Sequence, residues 1–419
     1  MGFDPKPADI WIDSSSDGGY TRAPKLQADF LAAAEHLRQV DGYVDPADPE
    51  HQPQLRADLA LEGGGVKGIG LAGAVLVLSE AGYSFPRVAG TSAGAIAACL
   101  IAAISKSGKP MTELRAYLDQ VDFTKFMPEG NLHRFLDRLG GAAAEAADAA
   151  ILAERIGIYP GTYLGEWLQP ILDQLGVRTF ADLKIEQADD PGMSLLPSQR
   201  YRLVVHTSDI TRENLVRLPW DYPYYGLTGD DQEVAGAVRA SMSIPFFFEP
   251  VTVSAAKAEI DVTMPDGSCI RQCYGPGTVT WVDGGMLRNF PIGAFDRVDG
   301  RPPRWPTIGI KLSSLQTEFP PTKACSTALG VAIQALHTMM SEWDRYNVES
   351  TTAARTIFVD HGDLTATQFG LSADQKNELF LNGARAATQF VIEMAHSGGV
   401  PRDASQAQQL LLSRKAAAG

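Results

Sequence analysis

Short apolar runs alternate with longer helical patterns from residue 57 onward. Residues 57–61 and 85–89 predict buried strands, and each run leads into a glycine-rich turn and then a mostly apolar helix. The first helix is predicted over 68–81, where Gly82 ends it, and the second continues to about residue 104. Strand, turn and helix repeating in this order predict a parallel sheet with helices on its faces.

The remainder of the chain continues this pattern after an interruption. Residues 105–200 read as a mostly helical insertion, with proline punctuation. Further strands are predicted at 201–208, 214–218, 278–282, 307–312 and 356–359, a hairpin at 251–274, and helices at 232–242, 323–350 and 372–396. The fold class predicted is therefore α/β, with a mostly parallel central sheet sandwiched by helices and a helical insertion.

Domain limits follow from changes in composition. Residues 1–56 are rich in Asp, Pro, Ser and Gln, with one helical stretch around 26–40, and are predicted to be an N-terminal extension. Residues 57–397 form the predicted main domain. Residues 398–419 are predicted to be a polar, frayed C-terminal tail.

Charge narrows the classes of partner. The 419 residues contain 36 Lys and Arg against 50 Asp and Glu, a net charge of −14. Nucleic-acid binding depends on neutralising phosphates, so no nucleic-acid partner is expected. Contact with a membrane would have to use apolar surface rather than a positive field.

The cysteines and the N-terminal sequence indicate no metal site and no targeting signal. The four cysteines form no CxxC pair, and although Cys269 and Cys273 bracket a loop-like stretch, no metal site and no cofactor are predicted. The N-terminus lacks the charged-then-apolar pattern of a signal peptide, and the apolar stretches are too short to span a bilayer. The expected location is cytoplasmic, with delivery as an effector left open.

A glycine-rich turn follows the first strand. Gly63, Gly64, Gly65 and Gly68 fit G-x-G-x-x-G, but the acidic residue that a dinucleotide site needs about 20 positions later is missing. The turn instead predicts backbone N–H groups that face an anion or oxyanion at a helix N-terminus. Lys67, in the first helical turn, is expected to face solvent.

A second glycine-flanked turn follows the next strand. Residues 90–94 read Gly-Thr-Ser-Ala-Gly, the G-x-S-x-G pattern of a nucleophile elbow, with Ser92 exposed on a tight turn. The alternative is that Ser92 only caps the helix. Turns after neighbouring parallel strands open at the same sheet edge, so this turn and the glycine-rich turn are expected to share a site.

A carboxylate ends a later strand. Asp283 follows the apolar residues Trp281 and Val282 and precedes Gly284 and Gly285. In this position the side chain can be directed into a crevice. The alternative is a turn in which Asp283 caps its own backbone.

These three motifs, in this order, resemble those of the patatin-like phospholipase family. Further similarity covers residues 161–172, 179–183, 203–209, 240–245, 248–250 and 360–383, so that the resemblance spans about 57–397. It implies a patatin-like fold and a lipid acyl hydrolase of phospholipase A or lysophospholipase type. The implied substrate is a phospholipid or another acyl-ester lipid, with transient contact with a membrane surface, and the need for an activator is left open.

The resemblance also implies roles for individual residues. Ser92 would be the nucleophile and Asp283 the general base of a catalytic dyad, with an acyl-enzyme intermediate. The backbone amides of Gly63, Gly64 and Gly65 would form the oxyanion hole. Support for these motifs would come from Gly68, Gly90, Gly94, Gly284 and Gly285. The insertion at 105–200 is a possible lid.

Three alternatives stay open at this point. A Ser-His-Asp esterase would add a histidine after Asp283, and the candidates are His337, His361 and His396. An acyltransferase would use the same acyl-enzyme, although Thr91 stands where acyl-carrier transacylases usually have a histidine. A binding protein would use the glycine-rich turn only to hold an anion.

Overall fold

A computed structural model describes residues 12–14, 20–22, 24–44, 52–122, 125, 157–185, 195–263, 268–297, 303–312, 328–341, 352–362, 364, 368 and 370–418. The strands are β1 (Ile12–Ser14), β2 (Tyr20–Arg22), β3 (Leu55–Arg56), β4 (Asp58–Leu61), β5 (Tyr83–Ser84), β6 (Val88–Thr91), β7 (Gly157–Tyr159), β8 (Leu203–Asp209), β9 (Asn214–Leu218), β10 (Phe246–Phe248), β11 (Val251–Ala255), β12 (Ala258–Thr263), β13 (Cys269–Tyr274), β14 (Gly277–Asp283), β15 (Thr307–Lys311) and β16 (Thr356–Phe358).

The described α-helices are α1 (Pro24–Asp41), α2 (Ile69–Glu80), α3 (Ala93–Ser107), α4 (Glu113–Asp119), α5 (Thr162–Gln174), α6 (Val234–Ser241), α7 (Gly285–Arg288), α8 (Ala328–Ser341), α9 (Ala373–His396) and α10 (Ala404–Ala418). Short 3₁₀ helices lie at Gly65–Gly68, Phe180–Leu183, Pro197–Gln199, Tyr222–Tyr225, Gly229–Asp231 and Ala353–Arg355.

The main sheet has the strand order β11-β14-β8-β6-β4-β15-β16, with β9 also paired to β8. Its centre is parallel, because β8, β6, β4, β15 and β16 pair in the same direction, whereas β14, β9 and β11 are antiparallel additions. Every residue of β4, β6, β8 and β15 is buried, as expected for strands covered by helices on both faces. The predicted α/β fold with a mostly parallel central sheet is confirmed.

Most predicted elements have the expected type, with three differences. The hairpin predicted at 251–274 is limited to β12 and β13, because β11 pairs with β14 instead. The strand predicted at 85–89 lies at β6, because Phe85 is buried in the preceding loop while Gly90 and Thr91 carry the strand forward. The C-terminal residues predicted to be frayed instead form α10, whose Ala407 and Leu410 are buried. That prediction was wrong, since an apolar pair three positions apart already marks a packed helix face.

The regions outside the central sheet are described in part. Helix α1 packs on α9, so the helical stretch predicted at 26–40 lies against the rest of the chain, and Phe30 and Leu37 are buried there. Of the predicted insertion, α4, β7 and α5 are described, whereas most of 123–156 lies outside the described residues, and with it the proposed lid. Among the described residues, no helix has the length and apolar character needed to cross a membrane.

Candidate active site

Strand pairing brings the two predicted catalytic residues to one point. Strand β8 pairs with β6 up to Thr91 opposite His206, and with β14 beginning at Asp283 opposite Thr207. Strand β9 pairs with β8 along Val205–Asp209, overlapping both of these ladders. Since a strand has only two hydrogen-bonding edges, β6 and β14 must share the edge that β9 leaves free. They therefore meet end to end, with Ser92 and Asp283 at their facing ends.

The Gly90–Gly94 turn has the geometry of a nucleophile elbow. Ser92 adopts φ 54° and ψ −123°, a conformation that non-glycine residues rarely adopt, and it directly precedes α3. The flanking glycines permit the tight approach of the backbone. A Cβ atom on Gly90 would lie 2.2 Å from the carbonyl oxygen of Gly94, and one on Gly94 would lie 2.3 Å from that of Leu61.

The Asp283 carboxyl is fully buried and interacts with the Ser92 hydroxyl. Burial raises the pKa of Asp283 to about 7, and hydrogen bonding to the Gly285 amide and to Ser92 opposes that shift. The Gly285 N–H donates to Oδ1 at 2.7 Å, whereas Oδ2 has no partner of standard hydrogen-bond geometry among the described residues. Asp283 thus caps its own turn, as the alternative interpretation expected, and also faces Ser92.

The glycine-rich turn lies over the serine. A Cβ atom on Gly63 would lie 3.0 Å from Cβ of Ser92, so the turn and the elbow are in contact. The Gly63 N–H donates to the Asn289 carbonyl oxygen at 3.1 Å, and the Asn289 amide donates back to the Gly63 oxygen at 3.1 Å. Within the described part of the chain, the amides of Gly64 and Gly65 donate to no other group. Of the three amides predicted to form the oxyanion hole, that of Gly63 is thus already bonded to Asn289, and those of Gly64 and Gly65 remain as candidates.

A buried ion pair between Glu62 and Lys311 lies at the start of the same turn. Glu62 precedes Gly63, and one of its carboxylate oxygens accepts a hydrogen bond from Lys311 Nζ at 2.7 Å while the other accepts one from the Leu312 amide.

Lys67 does not face solvent, contrary to the prediction. It is half-buried, its Nζ donates to the Leu312 oxygen at 3.4 Å, and burial lowers its pKa.

Among the described contacts, neither His361 nor His396 hydrogen-bonds to Ser92 or Asp283. His361 is half-buried, and its pKa is lowered by burial and by the nearby charge of Lys67, with no contribution from Ser92 or Asp283. His396 ends α9, and the side chain of His337 lies outside the described residues. No cluster of three potential metal ligands occurs in the described part of the chain, where Cys269 and Cys273 are exposed free cysteines.

Asn289 is a site residue that the sequence patterns did not indicate. A single asparagine six positions after Asp283 matches no motif, and only the fold brings it to Gly63. Its Oδ1 is buried without a hydrogen-bond partner among the described residues, and it lies 2.3 Å from where a Gly63 Cβ would be. A buried acceptor without a described partner therefore lies directly against Gly63.

Replacing Gly63 tests whether the turn must lie this close to Ser92. Gly63→Ala would force the turn away from Asn289 and Ser92, and we expect kcat on a soluble ester to fall about 10²-fold, as small displacements of reacting groups typically do. Gly165→Ala is the matched control, because a Cβ there meets nothing within 4 Å. Equal rates for the two variants would contradict the contact between turn and nucleophile.

Comparison with known proteins places the chain in a family. The family model described as Patatin-like phospholipase matches residues 59–296, which include both glycine-rich turns and Asp283. The chain belongs to the patatin-like phospholipase family. The uncharacterised protein YqhO of Bacillus subtilis (strain 168) is 34% identical over 334 residues, covering 80% of this chain and 97% of YqhO. Membership supports lipid hydrolysis as the general activity.

Two solved structures are also similar to this patatin-like chain. VipD from Legionella pneumophila is 17% identical with a TM-score of 0.39, over 91% of this chain and 69% of VipD. A chain of the ExoU–SpcU complex from the type III secretion system of Pseudomonas aeruginosa is 17% identical with a TM-score of 0.36, over 87% of this chain and 59% of that one. Similarity at this level carries no conclusion about activity.

Proposed function

We propose that this patatin-like protein is a lipid acyl hydrolase of phospholipase A or lysophospholipase type. Ser92 is the nucleophile, Asp283 is the general base, and the amides of Gly64 and Gly65 stabilise the oxyanion. The observation that carries the proposal is the pairing of a serine in an elbow conformation with a buried carboxyl whose pKa is raised to about 7. A base with this pKa is half ionised at neutral pH, where an ordinary aspartate is a much weaker proton acceptor.

The reaction follows from these positions. Ser92 Oγ attacks the ester carbonyl carbon as its proton passes to Asp283, and the carbonyl oxygen becomes an oxyanion beside the Gly64 and Gly65 amides. The carbon–oxygen bond to the alcohol breaks, and Asp283 returns the proton to the departing oxygen. Water then attacks the acyl-enzyme, giving its proton to Asp283, and the fatty acid leaves as Ser92 regains a proton.

Burial contributes to this chemistry. Ser92 was predicted to be exposed on its turn, but it is only 3% exposed, and Asp283 is fully buried. The hydrogen bonds and charges of the site therefore act in a medium of low dielectric constant. The N-terminus of α3 directly behind Ser92 adds a positive dipole end. The low dielectric constant strengthens the hydrogen bonds from the glycine amides to the developing oxyanion, and the dipole end of α3 attracts its negative charge.

The proposal extends to the substrate and the domain limits. The substrate is a phospholipid or another acyl-ester lipid presented at a membrane surface, which the protein contacts transiently. The hydrolase domain is assigned to 57–397, with 1–56 as an N-terminal extension and the segment within 105–200 as a lid. The contact of α1 with α9 supports packing of this part of the extension on the domain.

A lipid panel tests the proposed activity. Wild type, Ser92→Ala and Asp283→Asn are incubated with diacyl phospholipids, lysophospholipids and a short-chain soluble ester, and products are measured by mass spectrometry. Free fatty acid released only by wild type supports the hydrolase. Transfer of the acyl group to an added alcohol or thiol, without free acid, would indicate an acyltransferase instead.

Replacing His361 separates a dyad from a triad. His361 follows a strand and hydrogen-bonds to neither proposed catalytic residue among the described contacts, so we expect His361→Ala to keep kcat/KM within about threefold of wild type. In a Ser-His-Asp enzyme the same change would lower kcat by orders of magnitude. Steady-state kinetics on a soluble ester distinguish these outcomes, with thermal unfolding as the check that the variant is folded.

A further inference from the structure

The hydrogen-bond ladder between β6 and β8 changes at the nucleophile. Val88 N–H donates to the Arg202 oxygen at 2.7 Å, and Val88 pairs with Leu203 in a parallel register. In a parallel ladder alternate residues donate to the same neighbouring strand, so the second donor after Val88 is Ser92 and its acceptor is His206. A direct bond between Ser92 N–H and the His206 oxygen would therefore complete the ladder.

A serine hydroxyl occupies the place of that bond. Ser92 N–H donates to Ser241 Oγ at 2.8 Å, and Ser241 Oγ donates to the His206 oxygen at 2.6 Å. Ser241 is fully buried and is the last residue of α6. The hydroxyl satisfies the donor and the acceptor that the ladder bond would have joined, and it keeps the two backbone groups apart.

We propose that Ser241 is a positioning residue, whose hydroxyl replaces the last ladder hydrogen bond and thereby holds Ser92 in its elbow conformation. This inference rests on the proposed function of Ser92 as the nucleophile. A φ of 54° is strained for a serine and persists only where the surroundings determine it. The Ser92 carbonyl oxygen accepts the first bonds of α3, and Ser241 fixes the opposite side of the same residue.

The same segment also holds the proposed base. The Asp283 N–H donates to the Ser243 carbonyl oxygen at 2.9 Å, two residues after Ser241. Arg239, one turn earlier on α6, donates to the hydroxyl of Ser243. The turn Ser241–Ser243 thus contacts the backbones of both members of the dyad and sets their relative position.

The variant Ser241→Ala tests whether the Ser241 hydroxyl positions Ser92. In Ser241→Ala, Ser92 either bonds to His206 directly, which draws it toward an extended strand, or loses its partner. We expect kcat on a soluble ester to fall about 10- to 100-fold with KM within about threefold, and the pH midpoint to stay unchanged, because Asp283 keeps its own contacts. Ser241→Cys, which retains a weak donor and acceptor, should give an intermediate kcat.

Ser208→Ala is the matched control. Ser208, on β8, is buried as Ser241 is, and its Oγ has no hydrogen-bond partner among the described residues. Removal of the Ser208 hydroxyl should therefore leave kcat near that of wild type. An equal kcat for Ser241→Ala and Ser208→Ala would overturn the positioning role. So would a shift of the pH midpoint in Ser241→Ala that accounts for the whole loss.

A crystal structure of Ser241→Ala tests the proposal without an activity assay, because it shows the backbone conformation of Ser92 directly. The expected result is Ser92 moved away from φ 54°, and an unchanged elbow would overturn the proposal. If wild type hydrolyses no ester and no fluorophosphonate labels Ser92, the proposed function fails, and this structure still decides the role of Ser241. If wild type is active and the elbow is unchanged, only the inference about Ser241 fails.

Discussion

Ser92→Ala should abolish lipid hydrolysis while the protein remains folded. Without the hydroxyl no acyl-enzyme forms, and loss of a serine nucleophile typically lowers kcat by about 10⁴- to 10⁶-fold. Ser92 is followed by a helix of high alanine content and its side chain caps nothing, so the methyl group of alanine fits the same turn. The measurement is fatty-acid release from the lipid that proves best for wild type, with circular dichroism to verify the fold.

A variant with both catalytic residues replaced tests whether Ser92 and Asp283 act together. If Ser92 and Asp283 act as one unit, Ser92→Ala combined with Asp283→Asn should be no slower than Ser92→Ala alone, because losses within one catalytic unit are not additive. A fluorophosphonate probe should label wild type and leave Ser92→Ala unlabelled. Residual hydrolysis within tenfold of wild type in Ser92→Ala would mean that another residue is the nucleophile.

Local patterns were sufficient to predict most of the fold. The strand at Asn214–Leu218 has the predicted bounds, and the Ala373–His396 helix differs from its prediction by one residue, because alternation and helical periodicity are local signals. The strand at Val88–Thr91 begins three residues and ends two residues later than predicted. Its last residues, Gly90 and Thr91, are not apolar, although the sheet buries them completely.

Sequence patterns predict less of the candidate site than of the fold. Both glycine-rich turns could be placed at one sheet edge because parallel neighbours end on the same side. That Asp283 meets Ser92 depends on β14 sharing an edge of β8 with β6, a pairing between distant parts of the chain that no local spacing encodes. Asn289 and Ser241 act through backbone groups of the two turns, so their contribution also exists only in the folded chain.

Asp283→Asn should remove both the activity and its dependence on pH near neutrality. As general base, Asp283 must be ionised, so kcat/KM of wild type should rise with pH to a plateau above about 7. At pH 5 only about one molecule in 100 carries the carboxylate, and kcat/KM should be about 100-fold below the plateau. The amide cannot accept the serine proton, and we expect a loss of about 10³-fold or more at pH 8, with a flat profile.

The same carboxyl should make the wild type less stable as pH rises. Its folded pKa of about 7 lies above the ordinary value of 3.8, so between these values the folded state binds more protons than the unfolded state, and the free energy of unfolding falls with increasing pH. Asp283→Asn has no charge to bury, so its melting temperature should exceed that of wild type by more at pH 8 than at pH 4. A difference independent of pH would show that Asp283 is not buried with a raised pKa, and the case for it as a base at neutral pH would fail as well.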